Sequence, residues 1–170
     1  MKILVFSDSH QNENNMRIAM IKHKKAEAVF FCGDGHRDIA EIQRQFPDKQ
    51  YFIVRGNCDW SGDYPYLLTV TLCGKKILLT HGHIQGVKQG LERLFYLGKQ
   101  EKADIVLFGH THHQLTTAES RMLIMNPGSV GFGGQYGLID IDEKTGKITA
   151  LEYPDSQYGP VVITPYSTAE

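Results

Sequence analysis

Two histidines of the sequence, His110 and His112, have the residue type and spacing of metal ligands. They follow the apolar run 105–108, whose β-branched residues and polar boundaries predict a buried strand that ends in a turn at Gly109. Residues two apart on an extended chain point to the same side, so both imidazoles can face one point beyond the sheet. Two histidines separated by a threonine also occur as ordinary polar loop residues. The metal interpretation is favoured because apolar runs followed by ligand-type residues recur along the chain.

Carboxylate, amide and imidazole side chains follow several other apolar runs. The candidate ligands are Asp8, His10, Asp34, Asn57, His81, His110 and His112. Oxygen and nitrogen donors dominate this set, and it lacks the thiolate quartet of a structural zinc site. Two divalent ions about 3.5–4 Å apart, bridged by a carboxylate and a hydroxide, would use so many donors to clamp the attacking and leaving oxygens of a phosphoryl displacement. These residues therefore predict a two-metal hydrolase.

The first third of the chain alternates between strand and helix patterns. The predicted strands are 3–6, 28–32 and 51–54, and the predicted helices are one capped by Asn14 or Asn15 and one over 38–45. Alternation at this spacing predicts a βαβαβ unit with a parallel sheet. The functional loops of such a sheet lie beyond the carboxyl ends of its strands, which is where Asp8, His10, Asp34 and Asn57 occur.

The rest of the chain predicts a hairpin, one helix and further strands. The predicted elements are strands 67–72 and 76–80 around a turn at 73–75, a helix within 86–102 interrupted by Gly90 and Gly98, and strands 105–108, 122–125, 136–141 and 148–153. The tail from about residue 154 is predicted to be peripheral, with an edge strand near 161–163 or with partial disorder. A length of 170 residues favours one domain over 1–170.

Composition excludes several classes of protein. Hydrophobic residues at 41% and charged residues at 22% are typical of a globular chain. With 18 Lys and Arg against 19 Asp and Glu, dedicated nucleic-acid binding is not predicted. No apolar run approaches the ~18 residues of a membrane span, and the N-terminus lacks a signal-peptide pattern. Cys32, Cys58 and Cys73 have no CxxC spacing, which favours a reducing cytoplasm.

Five short motifs, each after an apolar run, also match a known family. The motifs are Asp8-Ser9-His10, Gly33-Asp34, Gly56-Asn57-Cys58-Asp59, His81-Gly82-His83 and Gly109-His110-Thr111-His112. In this order they resemble the calcineurin-like metallophosphoesterases, and most closely their small, uncapped bacterial and archaeal phosphodiesterases. The resemblance implies an α/β fold, a four-layer α/β/β/α sandwich of two mixed sheets flanked by helices.

The resemblance also implies how the ligands are divided. Asp8, His10, Asp34 and His112 would hold one ion, and Asp34, Asn57, His110 and His81 the other. Asp34 would be the bridging carboxylate. Manganese is the expected metal, with nickel, zinc, iron and cobalt as alternatives, because an imidazole and carboxylate site accepts all of them.

The implied activity is hydrolysis of phosphodiesters by attack of a metal-bridging hydroxide on a small phosphoester substrate, and a homo-oligomer is plausible. Two alternatives stay open at this point. One is a phosphomonoesterase or pyrophosphatase. The other is a non-catalytic protein-binding scaffold, because the retromer subunit that resembles this family has that role.

Four residues are the candidates for catalytic roles beside the metals: Asn57, Cys58, Asp59 and Arg37. Many family members have histidine after the asparagine as a general acid, where this chain has Cys58. A thiol beside two cations is expected to have a lowered pKa, so Cys58 would be an orienting group or a loop filler, and aryl esters would be the best substrates. Asp59 is expected to hold neighbouring groups in place. Arg37 would contact a substrate phosphate in a forked geometry or form a surface ion pair.

The remaining polar and aromatic residues near the motifs receive weaker assignments. His83 is either a donor that orients a ligand or a loop residue, whereas His36 and His113 are expected to be peripheral. Trp60 and Tyr64 would form an aromatic rim for a substrate base or contact a partner. The segment 126–129 is expected to shape the wall of the site. The glycine-rich segment 131–134 lacks the lysine and the following helix of a phosphate-binding loop.

Overall fold

The first third of the chain forms the predicted alternation of strands and helices. The computed structural model describes residues 1–60, 62–154 and 159–165. The first elements are β1 (Lys2–Phe6), α1 (Asn14–Lys22), β2 (Ala28–Phe31), α2 (His36–Gln45) and β3 (Gln50–Ile53). Strand β1 pairs in parallel with β2, and β2 pairs in parallel with β3. The predicted βαβαβ unit is therefore confirmed.

Strands dominate the rest of the chain. These elements are β4 (Leu67–Leu72), β5 (Lys75–Thr80), α3 (Glu92–Gln100), β6 (Ile105–Leu107), β7 (Leu115–Glu119), β8 (Met122–Asn126), the one-turn helix α4 (Val130–Gly133), β9 (Tyr136–Ile141), β10 (Ile148–Tyr153) and β11 (Val161–Ile163). Strands β4 and β5 form the predicted hairpin. Strand β11 pairs with β10 at the edge of its sheet. It is the edge strand predicted near 161–163.

The strands form two mixed sheets. The first has the order β11-β10-β9-β1-β2-β3, and the second has the order β4-β5-β6-β8-β7. In the first sheet, β9 runs antiparallel to β1 beside the parallel β1-β2-β3 unit. In the second, β5, β6 and β8 are parallel, and the edge strands β4 and β7 are antiparallel to their neighbours. The predicted fold class, an α/β fold of two mixed sheets with flanking helices, is confirmed.

Three apolar clusters separate four layers. Side chains on successive strand residues point to opposite faces, so Ile3 packs between the sheets, whereas Leu4 packs outward against α1 and α2. Between the sheets, Ile3 shares a core cluster with Ile77 and Leu107 of the second sheet. The outer face of the second sheet packs on α3 through Leu94. Because both sheets are buried on two faces, their central strands are continuous apolar runs.

Two local predictions are wrong and one strand was not predicted, each for an identifiable reason. The helix predicted within 86–102 begins only at Glu92, because Gly86 and Gly90 have positive φ angles of 64° and 145° that end helical geometry there. Strand β7 was not predicted, because its polar sequence has no apolar alternation, and it forms by pairing with β8. Glu13, rather than Asn14 or Asn15, is the N-cap residue of α1, and its side chain makes no capping hydrogen bond.

Parts of the tail prediction lie outside the described residues. Of the tail, the structure describes residues 159–165 but not residues 155–158 or 166–170. The partial disorder predicted for the latter two segments therefore lies outside the described residues. In the described part of the chain, no helix is long and apolar enough to cross a membrane.

Candidate metal centre

The predicted ligands lie where strands of both sheets end. Asp8 and His10 follow β1, Asp34 follows β2, and Asn57 follows β3. His81 follows β5 directly, and the two histidines of the starting motif follow β6. The side chains of all seven predicted ligands meet in two adjoining groups. The structure therefore brings these seven side chains together, as the sequence predicts.

The first group consists of Asp8, His10 and His112, whose ligand atoms lie within 4.8 Å of one another. His112 Nε2 is 3.1 Å from Asp8 Oδ1, and His10 Nε2 is 3.5 Å from the same oxygen. The Nε2 atoms of the two histidines are 3.1 Å apart. Two imidazole nitrogens that face one carboxylate oxygen form a donor set suited to a divalent transition metal.

The second group consists of Asp34, His81 and His110. His81 Nε2 lies 3.2 Å from Asp34 Oδ2 and 3.0 Å from the amide oxygen of Asn57. His81 Nε2 is also 4.0 Å from Asp8 Oδ1 of the first group. The two groups are therefore contiguous, with the Asp34 carboxylate bonded to the histidine that approaches both.

Electrostatics keep key donors in metal-binding protonation states. Burial acts to raise the pKa of Asp34, but its hydrogen bond with His81 and the charge of that histidine outweigh burial and lower the pKa to about 2. Burial and the charge of His81 lower the pKa of His110 to about 4. Asp34 is therefore charged and His110 neutral at pH 7, which are the forms that bind divalent cations.

His81 itself is held in one orientation. Its Nδ1 lies 2.7 Å from the backbone oxygen of Cys32, so this nitrogen carries the proton and donates it. The Nε2 atom then faces Asp34 Oδ2 and Asn57 Oδ1, and in the metal-free protein it donates to these acceptors when it is protonated. Burial acts to lower the pKa of His81, but the hydrogen bond with Asp34 and the charge of Asp8 outweigh it and raise the pKa. A backbone acceptor behind an imidazole is the usual way to fix the orientation of a ligating histidine.

Five of the seven donors have strained backbones. The φ angles are 56° for Asp8, 44° for His10, 62° for Asp34, 71° for His110 and 61° for His112. Residues with a Cβ atom avoid this region, and each costs about 1–3 kcal/mol unless its surroundings fix it. Hydrogen bonds supply that restraint, among them Asp8 N to Gly33 O at 2.9 Å and His110 N to Asp8 Oδ2 at 3.1 Å. Predicted ligands make up five of the ten non-glycine residues with positive φ in the described part of the chain, which suggests that their placement serves a site.

Comparison with known proteins agrees with the motifs and the geometry. The sequence model of the calcineurin-like phosphoesterase superfamily domain matches residues 1–144. The chain belongs to this superfamily. It is 35% identical over 132 residues to the probable metallophosphoesterase YsnB of Bacillus subtilis (strain 168), covering 76% of this chain and 75% of YsnB. It is 28% identical over 144 residues to the phosphodiesterase MJ0936 of Methanocaldococcus jannaschii, covering 75% of this chain and 83% of that protein.

Solved structures of the superfamily have the same fold. A predicted phosphoesterase from Streptococcus pneumoniae TIGR4 superposes with a TM-score of 0.77 at 28% identity, over 96% of this chain and 97% of that one. Vps29 from Entamoeba histolytica, in a complex with zinc, superposes with a TM-score of 0.74 at 21% identity, over 96% of this chain and 99% of that one. The second similarity is one of fold alone.

Asp59 of this phosphoesterase domain supports the loops that carry the ligands. Its carboxylate is 4% exposed and accepts hydrogen bonds from the backbone nitrogens of Asp34 (2.9 Å), Gly35 (3.0 Å), His36 (3.1 Å) and Gly56 (2.8 Å). It also bonds the Nδ1 atom of His36 at 3.0 Å. Burial acts to raise the pKa of Asp59, but these hydrogen bonds outweigh it and lower the pKa. Asp59 holds its neighbours in place, and His36, expected to be peripheral, is one of them.

Cys58 occupies the position where many phosphoesterases of this superfamily have histidine. Its backbone nitrogen donates to Asp34 Oδ1 at 2.8 Å, and its Sγ is 3.5 Å from the amide nitrogen of Asn57. Partial burial and the charges of Asp34 and Asp59 raise the pKa of the thiol. These neighbours therefore shift the pKa of the Cys58 thiol in the direction opposite to the shift expected from bound cations.

A pocket of about 570 Å³ opens beside the metal centre of the phosphoesterase domain. Its lining residues are His10, Gln11, Asp34, Gly35, His36, Arg37, Asp38, Cys58, Asp59 and Trp60. Arg37 is exposed, and none of the salt bridges among the described residues includes it. Within the described part of the chain, Arg37 therefore does not form the surface ion pair that is one of its two predicted alternatives. Trp60 is 89% exposed at this pocket, which agrees with both of its predicted alternatives, a rim for the substrate and a contact with a partner.

Two aromatic and imidazole assignments differ from expectation. Tyr64 is partly buried and packs against the apolar cluster beneath α1 and α2, so it belongs to the core rather than to the rim. The ring of His83 lies beside those of His81 and Tyr66, at centroid distances of 5.4 and 5.5 Å. Its buried Nδ1 has no hydrogen-bond partner among the described residues, so no contact between side chains supports the predicted donor role for this nitrogen.

The segment 126–134 of the phosphoesterase domain contacts the ligand loops more closely than the sequence indicates. Asn126 donates to the backbone oxygen of Gly109 at 3.0 Å and to Thr111 Oγ1 at 2.9 Å, which fixes the turn between the two histidines of the starting motif. Ser129 Oγ donates to the backbone oxygen of Asp8 at 2.8 Å. The expectation that 126–129 shapes the site wall is consistent with these contacts. The short helix α4 was missed, because four residues rich in glycine have no helical periodicity.

Proposed function

We propose that this superfamily member is a phosphodiesterase that uses two divalent metal ions. The observation that carries the proposal is the contiguity of the two donor groups: His81 Nε2 is 3.2 Å from Asp34 Oδ2 and 4.0 Å from Asp8 Oδ1. A single ion needs fewer donors than the seven that meet here, whereas paired ions in phosphoryl-transfer enzymes share a carboxylate between them. We propose Asp34 for that shared role, because its carboxylate bonds the histidine that approaches both groups.

The residues fit a pair of ions by their chemistry. Asp8, His10, Asp34 and His112 would hold one ion, and Asp34, Asn57, His81 and His110 the other. Imidazole and carboxylate donors without thiolate accept manganese, iron, cobalt, nickel or zinc, and we propose manganese. When bound, such a pair supplies Lewis acidity that activates water and neutralises the phosphoryl oxygens.

The protein's own side chains bind and orient the substrate. Arg37, exposed at the pocket and without an ionic partner among the described residues, donates to a phosphoryl oxygen in a forked geometry. Asp59 keeps the loops of Asp34 and Gly56 in place through buried hydrogen bonds. The pocket beside the ligands gives room for an ester group of the substrate. The products are a phosphomonoester and an alcohol.

The position of Cys58 sets the preference for leaving groups. A thiol, with an ordinary pKa of about 8.5, is a weaker acid than the imidazolium of other superfamily members, whose ordinary pKa is about 6.5. Esters whose leaving group departs without protonation, such as aryl esters, therefore react faster than alkyl esters. The open pocket also favours a broad range of diesters.

The decisive experiment combines metal analysis with a substrate comparison. Protein loaded with manganese, nickel, zinc or cobalt is assayed with bis(p-nitrophenyl) phosphate and with p-nitrophenyl phosphate, and its metal content is measured by elemental analysis. We expect two ions per chain and faster turnover of the diester. Faster turnover of the monoester would instead support a phosphomonoesterase.

A protein-binding scaffold is the alternative from another class, which the fold shared with Vps29 permits. The metal analysis and the ester assays described above distinguish this scaffold from an enzyme. Intact, folded protein that takes up no metal and hydrolyses neither ester would support the scaffold and contradict the enzyme. A cytoplasmic location and a homo-oligomer remain predictions from the sequence and the resemblance.

A further inference from the structure

Phe132 exposes an aromatic ring at the edge of the metal centre. The residue is 74% exposed, although large apolar side chains usually lie inside a folded chain. Its ring centroid lies 5.2 Å from that of His10, at an interplanar angle of 32°, and 5.6 Å from that of His112, at 36°. Both histidines belong to the first donor group. The ring therefore touches two predicted metal ligands and leaves most of its surface to solvent.

The backbone beneath Phe132 is fixed. The nitrogens of Val130 and Gly131 donate to the backbone oxygens of Ser7 and Asp8, at 3.0 and 3.2 Å. The nitrogen of Phe132 donates to Ser129 Oγ at 3.2 Å, which caps helix α4.

Gly131 brings this helix against the ligand loop. A Cβ atom at position 131 would lie 2.1 Å from the backbone oxygen of Ser9, so only glycine permits the approach. An exposed ring on a backbone held this closely is presented at one place, beside the position where a phosphoryl group must lie.

We propose that Phe132 is the stacking surface for a flat ring in the substrate. The inference rests on the proposed function and names its substrate class: phosphodiesters in which one ester group carries an aromatic or heteroaromatic ring, such as a nucleoside. A planar group attached to the phosphoryl centre lies within reach of a side chain that contacts His10 and His112. Stacking of a base on an exposed aromatic side chain strengthens binding by about tenfold or more per ring.

Of two other exposed aromatic residues, Trp60 is the competing candidate for a stacking surface and Tyr96 is the matched control. Trp60 is 89% exposed at the pocket, but no ring contact joins it to a predicted metal ligand among the described residues. Tyr96 is 64% exposed on α3, outside the residues that line the pocket. A binding effect specific to Phe132 distinguishes stacking beside His10 and His112 from a general loss of exposed aromatic surface.

The test measures binding rather than turnover. Phenylphosphonate and methylphosphonate are titrated calorimetrically into manganese-loaded wild-type protein and into Phe132→Ala, Phe132→Leu, Trp60→Ala and Tyr96→Ala. For the wild type we expect about tenfold tighter binding of the phenyl compound. Both Phe132 variants should reduce that ratio to about one with unchanged affinity for methylphosphonate, because the Leu side chain keeps apolar contact with the imidazoles but offers no ring.

Several results would overturn the inference. They are a wild type that binds the two phosphonates equally or binds neither, a ratio that survives in Phe132→Ala or Phe132→Leu, and a ratio lost only in Trp60→Ala. A Phe132→Ala protein that keeps the ratio but changes its sedimentation-derived oligomeric state would assign the ring to an interface between copies. Diester turnover is measured separately, so a wild type without turnover that still shows the Phe132-dependent ratio would contradict the proposed function alone.

Discussion

The carboxylate of Asp59 accepts a hydrogen bond from the backbone nitrogen of Asp34, at 2.9 Å. The residue proposed to be shared by both ions is thus positioned by a second, buried aspartate that belongs to neither donor group. The other oxygen of Asp59 accepts from Gly35 and His36, so one side chain determines the course of the loop that follows β2.

Replacing Asp59 with Asn should destabilise the protein and weaken metal binding together. Each carboxylate oxygen accepts at least two N–H groups, so either orientation of the amide places its NH2 against two donors. We expect a loss of about 2–4 kcal/mol in the free energy of unfolding, because buried donors lose their acceptor. The melting temperature should fall by about 5–15 °C. Calorimetry measures the melting temperature of Asp59→Asn beside that of Asp63→Asn, a change at an exposed loop residue that should leave the melting temperature as in the wild type. Equal melting temperatures for the two variants would contradict the prediction.

Asp34→Asn should remove activity by releasing both ions. The amide keeps the shape of the side chain but loses the charge that the lowered pKa of about 2 maintains. Because even residues behind a ligand affect metal affinity by about 10–100-fold, loss of the shared ligand should exceed that range. Metal content and turnover of bis(p-nitrophenyl) phosphate are the measurements, with Asp48→Asn on the surface as the control. Two ions and wild-type turnover in Asp34→Asn would exclude a shared role.

Arg37→Ala should weaken substrate binding more than it slows the chemical step. A lost hydrogen bond between charged groups corresponds to an increase in KM of about tenfold for the diester. Arg44 lies on the same helix but pairs with Glu41, so Arg44→Ala removes an equal charge without a substrate contact. Steady-state kinetics of both variants separate the two cases. A similar rise in KM for both would show a general effect of charge instead.

The stability of the metal-free protein should depend on pH through His110. Burial and the charge of His81 lower its folded pKa to about 4, against 6.5 in the unfolded chain. The unfolded state therefore binds more protons between these values, and stability is fully present above pH 6.5 and decreases as pH falls toward 4. Melting temperatures in the presence of a chelator should decrease over this window.

The control for this pH effect removes the titrating group. His110→Gln should flatten the decrease between pH 6.5 and 4, whereas His113→Gln, at an exposed position, should leave it unchanged. An identical profile for wild type and His110→Gln would assign the pH dependence to other groups.

The residue patterns alone predicted the βαβαβ unit and the set of candidate ligands, and the resemblance to a family implied the sandwich of two mixed sheets. Buried central strands are continuous apolar runs, so each run and the polar residues that end it can be recognised without coordinates. Asp8 and Asp34 follow two such runs, and the chain direction of a parallel pair brings the ends of both runs to one edge. Local pattern and chain direction therefore suffice to predict that these side chains meet.

Only the tertiary structure decided how the site is held and what surrounds it. The positive φ angles of the donors, the hydrogen bond between Asp59 and the backbone of Asp34, and the partial burial of Tyr64 depend on contacts between distant segments. The ring of Phe132 lies on His10 and His112 only because helix α4 packs on the loop after β1, more than 100 residues earlier in the chain. Such contacts leave no periodic signal in the sequence, because their geometry arises when the two sheets and their loops pack together.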